Sequence, residues 1–485
     1  MLFNSYIFIF IFLPITFVIH YLIGKHEKHG HTLSHSWLIL ASLFFYGYWN
    51  FSYLSIIISS IIINFLITHY LISKPHAKIK KPLFLLGLSF NLGLLGYFKY
   101  KNFFMENMNL LLNSDFHFTH VLLPLGISFF TLQQIAYLVD VYEGLVKKTP
   151  FHKYALFVCF FPQLIAGPIV HYKEVMPQFD DDKNHRFNIK NINLGIFVFI
   201  LGLAKKVLLA DTFAIWANAG FNHTDTFHFF QAWGTSLSYT MQLYFDFSGY
   251  SDMAIGLGLL FNIKLPKNFD SPFLARNIID FWTKWHITLS QFITTYIFTP
   301  LLKAMPKFTF TNSMISIFIT MCIAGLWHGA AWTFVLYGAL HGVIIIINHI
   351  MKKRKIKLPK FWAIFITFQF INIVFTIFRA EKLETAFNIF KGMFGLTYFK
   401  IPKGLISEEL ILKSGAIIGP HMNNDQNLNL IFIIVSLYIV FKLKNSMQLM
   451  QEFKPQTKTA LFMSFIFVLC LFGLNRVSDF IYFNF

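Results

Sequence analysis

The chain has 485 residues, of which 56% are hydrophobic, 19% aromatic and only 13% charged. Soluble chains carry about 25% charged residues, so this composition excludes a water-soluble enzyme, a disordered chain and a fibrous one, and leaves an integral membrane protein. Forty basic residues against 22 acids make a formal charge of +18, but they sit in short clusters between apolar runs, the pattern of loops facing anionic headgroups and not of a nucleic-acid binder.

A bilayer core of about 30 Å needs about 20 apolar residues per helix. Runs of that kind lie at 2–24, 52–73, 82–98, 119–141, 191–210, 229–247, 332–350, 361–378, 428–443 and 459–476. The first has no basic segment before it and no small-residue cleavage site after it, so it reads as a retained span. Shorter, interrupted runs at 36–49, 155–171, 250–263, 285–301 and 313–327 read as crossings, or as tilted or re-entrant pieces where protein or water satisfies the backbone. The expectation is an all-α integral membrane protein with about eleven transmembrane helices and one or two partial ones.

Lysine clusters set the orientation. Lys25 and Lys28, the group at 74–81, the group at 147–153, Lys205 with Lys206, and the dense run at 352–360 are placed in the cytoplasm. The amino terminus then lies outside and the carboxyl terminus faces the periplasm or exterior. The whole chain, 1–485, reads as a single polytopic domain, with its motifs at 120–350 and one long polar loop at 379–429. No internal repeat is present, which weakens a transporter reading. The phosphate-loop, His-Glu-x-x-His and Cys-x-x-Cys patterns are missing too. Cys159, Cys322 and Cys470 all lie in apolar stretches, so no disulfide framework is expected.

Polar residues inside apolar segments are costly, and by default they are functional hypotheses. In Asp280-Phe-Trp-Thr-Lys-Trp-His-Ile-Thr-Leu-Ser290, helical spacing puts Trp282, His286 and Ser290 on one face. In Gly325-Leu-Trp-His-Gly-Ala-Ala-Trp332, His328 lies between Trp327 and Trp332, and the glycines leave room for close approach. An imidazole suits general-base work near neutral pH, taking the proton of a hydroxyl that attacks an ester or thioester. The same two histidines read equally as interhelical hydrogen-bond donors.

Asp246 and Asp252 flank what reads as a serine- and glycine-rich turn at the end of a span, with a structural network and a site role both open. His26, His29, His31 and His35 are irregularly spaced and read as a solvated loop; no metal site is expected. Asp180-Asp-Asp182 reads as a hydrated loop, and Pro162-Gln163 with Gly167-Pro168 as an unwound helix lining a cavity.

Several strings together carry a family resemblance. They are Leu40-Ala-Ser-Leu-Phe-Phe-Tyr-Gly-Tyr-Trp49, Leu123-Pro-Leu-Gly-Ile-Ser-Phe-Phe-Thr131, Tyr137-Leu-Val-Asp-Val-Tyr142, Phe161-Pro-Gln-Leu-Ile-Ala-Gly-Pro-Ile169, Phe245-Asp-Phe-Ser-Gly-Tyr-Ser-Asp252, Asn268-Phe-Asp-Ser-Pro-Phe273, and those around His286 and His328. The chain resembles the membrane-bound O-acyltransferases, in the bacterial alginate O-acetylation branch that includes peptidoglycan O-acetyltransferase membrane components. The resemblance implies a bundle with short tilted helices around a central tunnel. It makes His328 the catalytic residue and His286 its companion, with Trp282, Trp285, Trp327, Trp332, Ser290, Asp246 and Asp252 along the tunnel.

It further implies an acetyl group moved from a cytoplasmic thioester, acetyl-CoA, toward a polysaccharide hydroxyl outside the bacterial cytoplasmic (inner) membrane, through a periplasmic SGNH-type acetyltransferase partner. No bound cofactor is implied. The terminal string Phe480-Ile-Tyr-Phe-Asn-Phe485 resembles a C-terminal pattern of this group, in which Tyr482 would relay the acyl group; an interfacial aromatic is the plainer reading. At Thr294-Thr295 and Leu302-Lys303 the chain departs from the pattern, which bears on acceptor or partner specificity. The alternatives are D-alanyl transfer to teichoic acid from a carrier protein, and a polytopic transporter or flippase.

Overall fold

The computed structural model describes residues 1–25, 30–76, 78–116, 119, 121–223, 226–397, 400–403, 407, 413, 417–421, 424–475 and 481. Among them seven helices are long and apolar enough to cross a membrane. In chain order the main helices are α1 (Phe8–Gly24), α2 (Gly30–Gly47), α3 (Tyr53–Ser73), α4 (Lys80–Leu112), α5 (Ile127–Tyr142), α6 (Phe151–Cys159), α7 (Ile189–Phe221), α8 (Phe229–Leu260), α9 (Phe310–His328), α10 (Trp332–Lys353), α11 (Lys360–Arg379), α12 (Leu383–Met393), α13 (Asn424–Lys442) and α14 (Thr457–Gly473). The chain is a multi-pass, helical membrane protein. Large apolar side chains such as Phe10, Leu40, Phe361, Phe465 and Phe472 point outward, while most of the polar residues of the spans point inward. Lipid is as apolar as the outer side chains, so burial alone cannot hold such helices together, and packing and polar contacts must do so.

Close backbone packing joins α7 to α8. Gly195 faces Gly256 and Gly202 faces Gly249; a Cβ at Gly202 would lie 2.5 Å from the Gly249 carbonyl oxygen, and one at Gly256 2.6 Å from that of Gly195. Both helices space their glycines seven residues apart, so one antiparallel seam brings the two backbones together twice. Further along α8, Thr240 donates to Asn372 Oδ1 and Ser236 bonds Thr376, tying α11 to the same helix.

Several expectations change here. The serine- and glycine-rich stretch 245–252 is not a turn: α8 runs unbroken through 32 residues. The small residues serve the α7 seam, and the two carboxylates find cations. Lys205 and Lys206 are not a cytoplasmic loop either. They occupy a π turn, Lys205–Ala210, inside α7. Lys205 lies 2.7 Å from Asp252, and Lys206 lies 2.8 Å from both Asp246 and Asp211. Buried carboxylates require such partners, so these two lysines carry no information about which side is cytoplasmic.

The polar loop 379–429 holds the amphipathic helix α12 and the parallel pair Lys400–Lys403 with Ile417–His421. His31 and His35 belong to α2, not to a solvated loop. His35 is buried and bonds the Phe179 carbonyl, and His31 meets Asp182 at 3.0 Å; His26 and His29 lie outside the described residues.

The glycine seam makes a direct prediction. Gly202→Ala and Gly256→Ala should each destabilise the protein by about 1–3 kcal/mol, the cost of overpacking a full contact. Gly93→Ala, whose Cβ meets open space, should be neutral or mildly stabilising because alanine favours the helix. Thermal unfolding in detergent measures both; equal midpoints for the seam variants and Gly93→Ala would show that the seam is loosely packed.

Candidate active site

Short helices and backbone breaks, not one long helix, bring the two central histidines together. A five-residue helix, Ile278–Trp282, ends in a turn, and His286 then adopts a left-handed conformation with φ +45° before Ile287–Ile293 resumes. Trp282, His286 and Ser290 therefore do not share a helical face. The helix breaks because the backbone bonds elsewhere: Ile287 N–H donates to the Asn268 carbonyl, and Asp270 N–H to that of Lys284.

Asn268 fixes this region. Its Oδ1 accepts from Thr288 N–H at 3.2 Å and Thr288 Oγ1–H at 3.0 Å, and faces His286 Nδ1 at 3.2 Å. Asn268 Oδ1 can only accept, so this contact is a hydrogen bond in the tautomer that carries the proton on Nδ1 and leaves the lone pair on Nε2 of His286. Thr288 Oγ1 in turn accepts the N–H of Ile169, in the stretch that follows the broken helix Phe161–Leu164. That stretch is unwound, as the Pro162 and Gly167-Pro168 signals suggest, and its backbone is satisfied by a side chain of the histidine segment.

His328 is the last residue of α9. Gly329 is extended, with φ −162° and ψ 152°, so the chain leaves the helix abruptly. Around the imidazole lie Trp327 at 5.0 Å, Phe378 at 5.4 Å, Tyr337 at 5.9 Å and His286 at 6.4 Å between ring centroids. His286 has no exposed surface and His328 retains 4%. A third imidazole stands near: His341 packs on Tyr337 at 4.6 Å and accepts the Trp282 indole N–H at 3.2 Å.

The remaining expected residues scatter. Trp327 lies against both histidines, and Trp282 touches the group through His341. Trp285 is a packing residue among Phe269, Phe281 and Phe375. Ser290 is half-buried one turn along from His286. Trp332 is 60% exposed; it bonds Asn107 and packs edge-on to Phe103, at the outer start of α10. Asp246 and Asp252 belong to the buried lysine–aspartate group on α8. Tyr482 lies outside the described residues, but its predecessor Ile481 is 8% exposed and donates its N–H to Asp246 Oδ2 at 2.9 Å.

Sequence reasoning passed over Asn268, His341 and Lys99. Asn268 opens the string Asn268–Phe273, and spacing alone gives it no role. His341 follows Tyr337 by four residues on one face of an apolar helix, and Lys99, two residues before Lys101, closes the apolar run of α4. Both carried the signal of a titratable group at membrane depth. Among the described residues no three histidine, cysteine or acidic side chains converge as metal ligands.

With this geometry in place, similarity to known proteins adds the family. Residues 84–381 match the model of the membrane-bound O-acyltransferase family. The chain is 42% identical to the peptidoglycan O-acetyltransferase of Helicobacter pylori, over 100% of this chain and 98% of that one. It is 37% identical to the probable alginate O-acetylase AlgI of Pseudomonas putida, over 81% and 80%. It is 29% identical to the teichoic acid D-alanyltransferase of Bacillus subtilis, over 54% and 69%. The matched segment contains Asn268, His286, His328 and His341, and the chain belongs to the membrane-bound O-acyltransferase family as a multi-pass O-acyltransferase.

Proposed function

We propose that the chain moves an acetyl group from acetyl-CoA on the cytoplasmic side of the bacterial inner membrane to hydroxyls of an extracytoplasmic glycan, with peptidoglycan as the acceptor. End-to-end similarity to a peptidoglycan O-acetyltransferase favours that polymer over alginate, whose relatives align over 81% of the chain, and over teichoic acid, whose relatives align over about half. The observation that carries the chemistry is the buried pair His286–His328 at 6.4 Å.

His328 takes the proton of the attacking hydroxyl. The hydroxyl oxygen forms a bond to the thioester carbonyl carbon, the carbon–sulfur bond breaks, and the leaving thiolate recovers the proton from the imidazolium. His286 assists by orienting the acceptor beside His328 while Asn268 holds its ring; the hydroxyl's one proton goes to His328. Burial suits the reaction, because hydrolysis of the thioester by bulk water is the competing outcome.

Tyr482 serves as the first acceptor in this scheme. Its phenol is acetylated, and the phenyl ester then passes its acetyl group to a periplasmic SGNH-type partner. Support comes from the residue before it: Ile481 is anchored inside the bundle on Asp246, which Lys206 ties into the α7–α8 seam.

Replacing His328 by alanine should lower glycan O-acetylation at least about a hundredfold, with unchanged membrane abundance on immunoblots. Ester-linked acetate persisting at parental levels in that strain would remove the base assignment. For the relay, intact-mass and peptide analysis of enzyme quenched under donor excess should place one acetyl group on Tyr482, absent in Tyr482→Phe. An unlabelled Tyr482 in an enzyme that still turns over would rule the relay out.

A further inference from the structure

The end of α9 is held by two consecutive residues of α4. Helix ends leave their last four carbonyls without partners inside the helix, and the extended Gly329 offers no continuation. The Tyr100 hydroxyl donates to the Leu326 carbonyl at 2.9 Å. Lys99 Nζ donates to the carbonyls of Trp327, at 2.5 Å, and His328, at 3.0 Å, and its third contact is Ser128 Oγ at 3.3 Å.

Lys99 and Tyr100 lie in a π turn, Gly96–Tyr100. The extra residue in that turn lets two neighbours reach the same helix end, an arrangement that recurs at functional sites. Three oxygens surround Nζ, matching the three N–H donors of an ammonium. The ammonium also lies 5.6 Å from the centroid of the Trp327 ring, on which it makes a cation–π contact. A cation at the C-terminal end of a helix opposes the negative end of its dipole. Lys99 thus directs two of its three donors to Trp327 and His328, the residues that carry the site, and the third to Ser128.

We infer that Lys99 is a positioning residue for His328: its ammonium caps the end of α9 and fixes the main chain from which the imidazole projects. The inference rests on the acyl-transfer reading of His328. Because Lys99 acts through main-chain oxygens, its removal frees the histidine backbone without touching the imidazole, and a displacement of about 1 Å at a reacting group costs about a hundredfold in rate. A guanidinium keeps both the charge and the donors, so arginine can stand in where methionine cannot.

The test compares parent, Lys99→Met, Lys99→Arg and His328→Ala in native membranes that carry the periplasmic partner, with labelled acetyl-CoA as donor and isolated wall glycan as acceptor. Expected for Lys99→Met is a kcat loss of about 10- to 100-fold, with KM unchanged and folded protein, by size-exclusion profile, equal to the parent. Lys99→Arg should recover a substantial part of the loss. Parental kcat in Lys99→Met overturns the inference and leaves the acyl-transfer reading intact. A loss in proportion to folded protein, or Lys99→Arg no better than Lys99→Met, reduces Lys99 to a structural cap and also overturns it. If the parent transfers no acetyl group, the functional reading fails and takes the inference with it.

Discussion

A polar group in the hydrocarbon layer has no water to fall back on, and the interior of this bundle is organised around supplying partners. An unpaired buried charge costs several kcal/mol, and a buried amide or hydroxyl without a hydrogen bond costs about 1–3 kcal/mol. The chain nevertheless carries Lys99, Lys205, Lys206, Asp211, Asp246, Asp252, His286, His328 and His341 inside the bundle. Two solutions recur. Carboxylates are met by lysines across the α7–α8 seam, and backbone groups released by helix breaks are met by side chains from another element.

The seam and the ion pairs depend on one another. Glycine at positions 195, 202, 249 and 256 lets the backbones approach closely enough that short carboxylates on α8 reach the ammonium groups of α7. Asp246 then has an oxygen left for the N–H of Ile481, so the carboxylate that joins two membrane helices also holds that residue. Asp246 therefore bonds both the α7 lysine and Ile481, so one acid of 245–252 serves two contacts.

Much of this was legible in the amino-acid order, and the failures have physical reasons. Composition and apolar runs identified a helical membrane protein, because a bilayer sets the length and polarity of its spans so narrowly. His286 and His328 stood out because imidazoles are rare where lipid is expected, and Pro162 with Gly167-Pro168 marked a real break. Periodicity failed at 282–290, where tertiary hydrogen bonds from Asn268 and Lys284 override a helix that spacing alone would continue. It fails again at 245–252, where small polar residues read as a turn although their neighbours on α7 make them good interior helix residues. Lys205 and Lys206 misled for a related reason: a lysine pair looks the same in sequence whether it faces headgroups or buried aspartates. Asn268, Lys99 and His341 went unassigned because their roles are relational and appear only when distant segments meet.

The positions of the two central imidazoles follow from the same accounting. His286 sits at a left-handed break and His328 at an abrupt helix end, and a third break lies beside them in the unwound stretch after Leu164. Such irregular backbone is tolerated at membrane depth only where other protein atoms satisfy it. Here the satisfaction is mutual: Thr288 of the histidine segment serves Ile169, Asn268 serves Thr288 and His286, and Lys99 with Tyr100 serves the carbonyls of 326–328. Segments that are far apart in sequence are thereby joined in two groups, 169 with 268 and 286–288, and 99–100 with 326–328, each by side chains that bond the backbone of another segment. An imidazole mounted on such a junction has its main chain held by partners from other segments, which restricts the direction in which its ring can project.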